Sequence, residues 1–401
     1  MAPWLEQEVA PCPRCQRQLR RKRREKKVLS TLQGEFPLER PYFYCPNCRQ
    51  GFCPVDAALG VAPQAHQFDV QHRVTKLAAR MPFAEAVASV EELTGVRVSN
   101  HFAHDTLTAV GQAATLELVI PDAEEIARRI AKAQGNSPEP PILVVASDGA
   151  KTPTRPKAPR KGKRGPGRYR EVRGARLYLL DADDEIIPVA SWHQIQTAEA
   201  FRKDLGVIAQ RIPQDRVRIC LVGDGADGVW SAMVECFPTG RQLLDFYHGL
   251  EHLHGAGRAL YGDGALEAHQ WAESTMVRLA KGAVDTVLEQ LRRLRSRQEA
   301  AAAEELRKLI GYLEGQRHRL GYMEAIEQGY PIGSGAIESA NKFLCHARMK
   351  RSGAWWVEKS GNEMLRLRCA MYNGTYDRVF AHYEASRSPG TAAPTLLGTN
   401  A

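Results

Sequence analysis

Two pairs of cysteines, Cys12-Pro-Arg-Cys15 and Cys45-Pro-Asn-Cys48, form Cys-x-x-Cys knuckles near the start of this sequence. Each knuckle places two thiolates on one tight turn, and two such turns complete a tetrahedral site of four sulfurs, which suits Zn2+. All four positions are then filled by protein, leaving none for water, so the zinc is structural rather than catalytic. Cys53 is a spare that either replaces one ligand or is a small buried residue. Carboxylates supply the other chemistry. The apolar run Ile142 to Ser147 leads into Asp148-Gly149, and the run Val217 to Gly223 leads into Asp224-Gly225. Such runs read as buried strands with an acid at the C-terminal end. A third acid, Glu338, follows Gly333-Ser334-Gly335 in the first turn of a helix. The apolar face of that helix is Ile337, Ala340, Phe343, Leu344 and Ala347, with Ser334 as its N-cap. An acid at the start of a helix that ends in Arg348, Lys350 and Arg351 also satisfies the helix dipole alone. Whether Glu338 does chemistry depends on carboxylate partners.

The elements that would position these groups follow from periodicity and turn residues. Between the knuckles lie a basic run, Arg20 to Lys27, and two short strands, Val28 to Leu32 and Arg40 to Tyr44, joined at Gln33-Gly34. The pattern predicts a zinc ribbon over 1–60. A helical region over 61–135 follows, with apolar stripes Val70, Val74, Leu77, Ala78 and then Phe83, Ala86, Val87, Val90, Leu93. Gly95 ends the second helix, and Ser99 or Asn100 caps a third that carries His101, His104, Leu107 and Val110. This is helix-turn-helix spacing with the third helix as the groove reader, although plain helical packing gives the same pattern. The linker Gly135 to Pro141 opens a new domain. Its predicted order is a strand ending at Asp148, strands over Tyr169–Leu180 and Glu185–Ser191, and a helix capped by Thr197. A strand ending at Asp224, a helix near Gly228 and a short strand from Arg241 to His248 complete it. Residues 250–325 read as helix throughout. Lys151 to Arg170, thick with Lys, Arg, Pro and Gly, reads as a flexible loop that seeks phosphate.

Composition limits the classes. The 401 residues carry a formal net charge of +9, with 43% hydrophobic and 25% charged residues. These are the proportions of a soluble globular protein, and the basic balance fits a polyanion partner. No apolar run approaches the roughly 20 residues needed to span a bilayer, and the first residues do not resemble a signal peptide. The expected location is therefore cytoplasmic, on the nucleoid when bound, and nine cysteines in that reducing compartment argue for metal rather than disulfides. The tail over 386–401 reads as disordered.

Three strands, a helix, a further strand and C-terminal helices is the ribonuclease-H-like order, which makes Asp148 and Asp224 neighbours and lets Glu338 face them. Phosphodiester cleavage by two divalent ions wants such a set. With Cys12-x-x-Cys15, Cys45-x-x-Cys48-x-x-Gly51, Asp148-Gly149, Asp224-Gly225-Ala226, Asp245-x-x-His248, Gly333-Ser-Gly-x-x-Glu338 and Arg348-x-Lys350-Arg351-x-Gly353 in this order, the chain resembles bacterial insertion-sequence transposases of the DDE type, in particular the Kra-type group. The resemblance implies a multidomain α+β protein. Its parts are the zinc ribbon, the helix-turn-helix region and a ribonuclease-H-like α/β catalytic domain over 141–249 and 326–385, interrupted by the helical insertion at 250–325. It implies that Asp148, Asp224 and Glu338 bind two Mg2+ (or Mn2+) ions, with Asp245 and His248 accessory. Asp148 and Glu338 would hold one ion, Asp148 and Asp224 the other. Lys161, Lys163, Arg164 and Arg168 of the loop, and Lys342, Arg348, Lys350 and Arg351 near the Glu338 helix, would contact DNA phosphates. Trp355 and Trp356 either stack on an end base or belong to a helical core. Partners are double-stranded DNA, as transposon ends and target, and a second copy of the chain. Two other readings stay open: an inactive or domesticated zinc-containing DNA-binding protein, and a ribonuclease-H-like nuclease without transposition.

Overall fold

A computed structural model of the chain describes residues 5–158, 163, 165–225, 227–333 and 335–388. The chain divides into two compact units, Met1–Val119 with Lys359–Ala401, and Ile120–Glu358. In the first unit β1 (Val9–Pro11) and β2 (Gln18–Arg20) pair antiparallel, with the first knuckle as their connection. β3 (Arg23–Thr31), β4 (Gly34–Cys45) and β5 (Gln50–Phe52) make a second antiparallel sheet in that order. The basic run expected ahead of the strands is itself strand. β3 carries it, and cross-strand acids offset part of its charge, as in Lys26–Glu39 at 3.2 Å. After α1 (Pro54–Ala58) come α2 (Phe68–Ala78), α3 (Phe83–Thr94) and α4 (Asn100–Ala113). Val70, Val74, Val90, Val96 and Ala103 form their shared core. Ser99 caps α4 by accepting the Phe102 amide at 3.0 Å. Leu93, expected on the buried stripe, is 75% exposed. The short α5 (Leu116–Val119) closes this stretch.

The second unit starts earlier than the linker suggested. α6 (Ala123–Gln134) belongs to it, burying Ile126 and Ile130, while Arg129 donates to the carbonyls of Pro188 and Val189. The sheet consists of β6 (Ile142–Thr154), β7 (Arg168–Leu180), β8 (Ile186–Ile195), β9 (Arg218–Gly223) and β10 (Arg241–Leu244). Its order is β10-β9-β6-β7-β8, with β10, β9 and β6 mutually parallel and β6, β7 and β8 antiparallel. α7 (Ala198–Ala209), capped by Thr197, and α8 (Asp227–Cys236) connect the strands in the expected order.

Two boundaries differ from expectation. β6 does not stop at Asp148 but runs six residues further to Thr154, because β7 continues to pair with it after β9 has ended at Gly223. Part of the basic segment is therefore strand. β10 stops at Leu244, and Phe246 to His248 already form the first turn of α9 (Phe246–Tyr261). α9 packs with α10 (Leu266–Ala280), α11 (Val284–Arg295) and α12 (Ala300–Gly315) around Leu253, Met276, Leu279, Leu288, Leu306 and Leu313.

The chain then returns through α13 (Tyr322–Glu327) to α14 (Gly335–Asn341), a π-helical turn at Lys342–His346, and α15 (Ala347–Met349). Ile337, Ala340 and Leu344 are buried as expected, but Phe343 and Ala347 are exposed. The buried stripe instead continues from Ile337 and Ala340 through Asn341 and Leu344 to Cys345, Arg348 and Met349, at three- and four-residue steps. Residues from Lys359 on, expected in the catalytic domain, belong to the first unit. There α16 (Glu358–Asn373) sends Arg368 to the Ala79 carbonyl, and Asn373 donates to the Val119 carbonyl at 3.0 Å. α17 (Tyr376–Arg387) follows, with the Tyr383 hydroxyl on Gln71 at 2.8 Å. No helix among the described residues is long and apolar enough to cross a membrane. The expected disordered tail, apart from 386–388, lies outside the described residues.

Candidate active site and metal centre

The three carboxylates singled out in the sequence line one pocket of about 90 Å³, together with Ser147, Asp245, Tyr247, His248 and Glu251. β6 delivers Asp148, the residue after β9 is Asp224, the residue after β10 is Asp245, and α14 supplies Glu338 in its first turn. The parallel pairing of β6 with β9 up to Ser147 and Gly223 sets Asp148 and Asp224 side by side. α14 is fixed over the sheet by the buried Arg176 of β7, whose guanidinium donates to the Ala336 carbonyl. The proposed N-cap of this helix, Ser334, lies outside the described residues.

Asp148 is the most constrained acid. Its Oδ1 accepts the Gly149 amide at 2.6 Å and its Oδ2 accepts the Asn341 side-chain amide at 2.8 Å. Burial raises its pKa, and the nearby Asp224 and Glu338 add to the rise, while the two hydrogen bonds oppose it. Asp245 is almost fully buried and accepts the backbone amides of Tyr247 and His248 at 2.7 and 3.1 Å. It is therefore the N-cap of α9 and aims that helix at the pocket. His248 follows in the first turn, its Nδ1 3.5 Å from Glu251. The Asp224 loop is held from the helical region. Tyr312 donates its hydroxyl to the Asp224 carbonyl at 3.2 Å, and Gln316 donates to the Gly225 carbonyl at 3.2 Å. Gly225 has a φ of +96°, which favours glycine, and a Cβ there would crowd Tyr312 at 3.1 Å.

The cysteines form a separate centre in the other unit. Cys12, Cys15, Cys45 and Cys48 bring their sulfurs within 4.8 Å of one another, with Cys12–Cys48 at 3.9 Å and Cys15–Cys45 at 3.6 Å. Tetrahedral Zn–S bonds of about 2.3 Å require S–S separations of about 3.8 Å, so the cluster could hold zinc. The Arg17 backbone amide and the neighbouring thiols bring Cys15 down to about 6, while its hydrogen bond with Cys15 drives Cys48 up to about 12. Cys53 is not part of the cluster. It is buried ahead of α1, and burial pushes its thiol up to about 11. Among the described residues this is the one set of three or more ligand groups gathered so closely. The carboxylates share a pocket at wider spacing.

The cations expected on DNA separate into three groups. Lys163, Arg168, Lys342, Lys350 and Arg351 are exposed. Lys161 and Arg164 lie outside the described residues. Arg348 is buried, its guanidinium 5.1 Å from the Trp356 ring, because about three helical turns after Ile337 it returns to the same buried face, so it does not offer its charge to a phosphate. Trp356 bridges Thr154, exchanging backbone hydrogen bonds with Pro153 and Arg155 and sending its indole N–H to the Met349 carbonyl at 3.1 Å. Trp355 lies against Arg155, 4.3 Å from its guanidinium, and against Tyr169. Both tryptophans thus pin the segment after α15 to the end of the β6–β7 hairpin. In the first unit His101 and His104 of α4 are exposed and pair with Asp105.

Sequence reasoning overlooked Asn341, Glu251, Tyr247 and His193. Asn341 follows Glu338 by three residues and Glu251 follows His248 by three, so helical spacing alone signals both. His193 carries no local signal, since its place depends on strand register.

No family model matches the chain. It is 23% identical over 377 residues to a Streptococcus gallolyticus protein described as "UPF0236 protein in vanSb 3'region", a match that covers 88% of this chain and 74% of that protein. Among solved structures it is similar to the Drosophila P element transposase strand transfer complex, with a TM-score of 0.28 and 10% identity over 79% of this chain and 81% of the other.

Proposed function

We propose that the chain is a DDE-type transposase, as its resemblance to the Kra-type group implies, which binds the ends of its element and cuts and joins DNA with Asp148, Asp224 and Glu338. One observation carries the reading: three acids remote in sequence line one pocket, on a sheet whose first strand is central, with the second and third strands antiparallel on one side and the last two parallel on the other. That order supports a ribonuclease-H-like catalytic domain. The donor set suits Mg2+, which takes hard oxygen ligands and keeps several waters. Crowded like charges at Asp148, Asp224 and Glu338 also favour a cation there. Two such ions would activate the attacking water or 3′-hydroxyl and stabilise the leaving oxygen. Asp148, which both Asp224 and Glu338 approach closely enough to raise its pKa, would be shared. Asp224 and Glu338 would serve different ions. Asp245 acts through α9, and His248 faces the pocket beside Glu251.

The four-cysteine ribbon and α2–α4, as a helix-turn-helix, would bind the ends, and Lys163, Arg168, Lys342, Lys350 and Arg351 would follow the phosphate backbone. Joining two ends requires at least two copies of the chain. The test is Mg2+-dependent nicking of labelled duplexes carrying the element's terminal sequences, comparing the native chain with Asp224→Asn. The expected result is end-specific nicking by the native protein, and binding without cutting by the variant. Binding by both without cutting, in Mg2+ or Mn2+, would leave a zinc-containing DNA-binding protein. Cutting without preference for the ends would leave a general nuclease.

A further inference from the structure

A row of residues behind the acidic pocket has no part in the reading above. Asp148 on β6 pairs with Gly174 on β7, and Gly174 pairs with His193 on β8. Directly paired residues project to the same face of a sheet, and this is the face that Val144 and Tyr178 share with Ala336 of α14. Gly174 has no side chain, and the His193 ring fills the space. A Cβ on Gly174 would lie 2.0 Å from His193 Cδ2. Asn341, the last residue of α14, is 4% exposed, and its amide nitrogen donates to Asp148 Oδ2 at 2.8 Å. Its Oδ1 and both ring nitrogens of His193 are buried without a hydrogen-bond partner. Burial pushes the His193 ring down to about 4, while the Asn341 side-chain amide beside it opposes the fall.

We infer that Asn341 is a positioning residue for Asp148, and that His193 fixes which end of the Asn341 amide faces the acid. An ionised carboxylate offers about four acceptor positions. Gly149 takes one on Oδ1 and Asn341 one on Oδ2, which sets the carboxylate plane and leaves one position on each oxygen. That is the presentation an acid shared by two ions needs. His193 contributes from behind. A neutral imidazole has one N–H to give, and Asn341 Oδ1 is the unpaired acceptor beside it. With Oδ1 directed to the ring, the NH2 end must face Asp148. Outer partners of this kind typically change metal affinity by about 10–100-fold when removed.

The inference rests on the divalent-ion reading of the pocket, and its test keeps the two apart. Mn2+ binding to the zinc-loaded full chain is titrated by the loss of the free-ion electron paramagnetic resonance signal. The proteins compared are the native chain, Asp148→Asn, Asn341→Ala, Asn341→Leu and His193→Gln. Asn341→Leu keeps the branched shape without the donor, so a folded variant remains if the alanine protein is unstable. The expected result is a Mn2+ dissociation constant raised about tenfold or more in both Asn341 variants, with a smaller rise in His193→Gln. The Mg2+ concentration for half-maximal nicking should rise in parallel. A native affinity that Asp148→Asn abolishes and folded Asn341 variants leave unchanged would overturn the inference alone. A native chain that binds no Mn2+ at the pocket would overturn both.

Discussion

At the scale of single residues, type and position in the sequence anticipated where some side chains lie and misplaced others. Asp148 and Asp224 were legible because an acid after an apolar run has one physical meaning, a charged group delivered by a buried strand. Glu338 was legible only through them. Arg348 shows the limit. By composition it belongs with Lys350 and Arg351 in a basic helix end, yet it is 4% exposed and lies over Trp356. The difference predicts different phenotypes. Lys350→Ala and Arg351→Ala should leave thermal stability unchanged and each reduce the salt dependence of DNA binding by about one unit of slope. Arg348→Ala should instead lower stability by roughly 1–3 kcal/mol, through lost packing and burial of the groups it faced. Thermal melts and binding isotherms across salt concentrations check both. A stable Arg348→Ala with a reduced salt slope would restore it to the DNA-contacting set.

At the scale of elements, strand order was readable from alternating apolar runs and turns, but strand length and helix register were not. Pairing decides where β6 ends, since β7 holds six residues beyond Asp148 that no local propensity marks. The π-turn at Lys342–His346 is equally silent in the sequence, and so is the choice of face, since Phe343 and Ala347 continue one apolar stripe while Cys345 and Arg348 continue the one that is buried. His193 escaped notice for the same reason, because only the register of three strands sets it beside Gly174 and Asn341. The packing of that row can be measured. Gly174→Ala would put a methyl 2.0 Å from the His193 ring, and overpacking of this kind costs about 1–3 kcal/mol. Adding His193→Ala opens the space again. The double variant should therefore be more stable than the sum of the single losses, with a coupling of at least about 0.5 kcal/mol. Additive losses in denaturant unfolding would show that the ring can move away and does not fix the row.

At the scale of the whole molecule, the segment that carries the four cysteines draws its stability from a different source than the helices of its own unit or than the second unit. The unit Ile120–Glu358 has its own apolar interior, in the sheet and around α9–α12. The ribbon has little. Its buried core is Ala10, Leu19 and Phe43 with two of the four cysteines, and Phe52 stacks on Phe43 at 5.7 Å. A core so small rarely supplies the free energy of folding, and a structural metal is one of the few substitutes. Four thiols this close also repel when ionised, so the cluster without a cation opposes the fold it is meant to close. Removing zinc with a selective chelator, or introducing Cys12→Ser, should therefore unfold the ribbon while the other unit keeps its structure. In hydrogen exchange, amides of β1–β5 should lose protection, whereas those of β6–β9 retain it. The same treatment should weaken end binding and leave Mn2+ titration of the acidic pocket unchanged, since the two centres lie in different units. Protection of β1–β5 that survives zinc removal would mean that the ribbon folds on its apolar contacts alone, and that the cysteines serve another purpose.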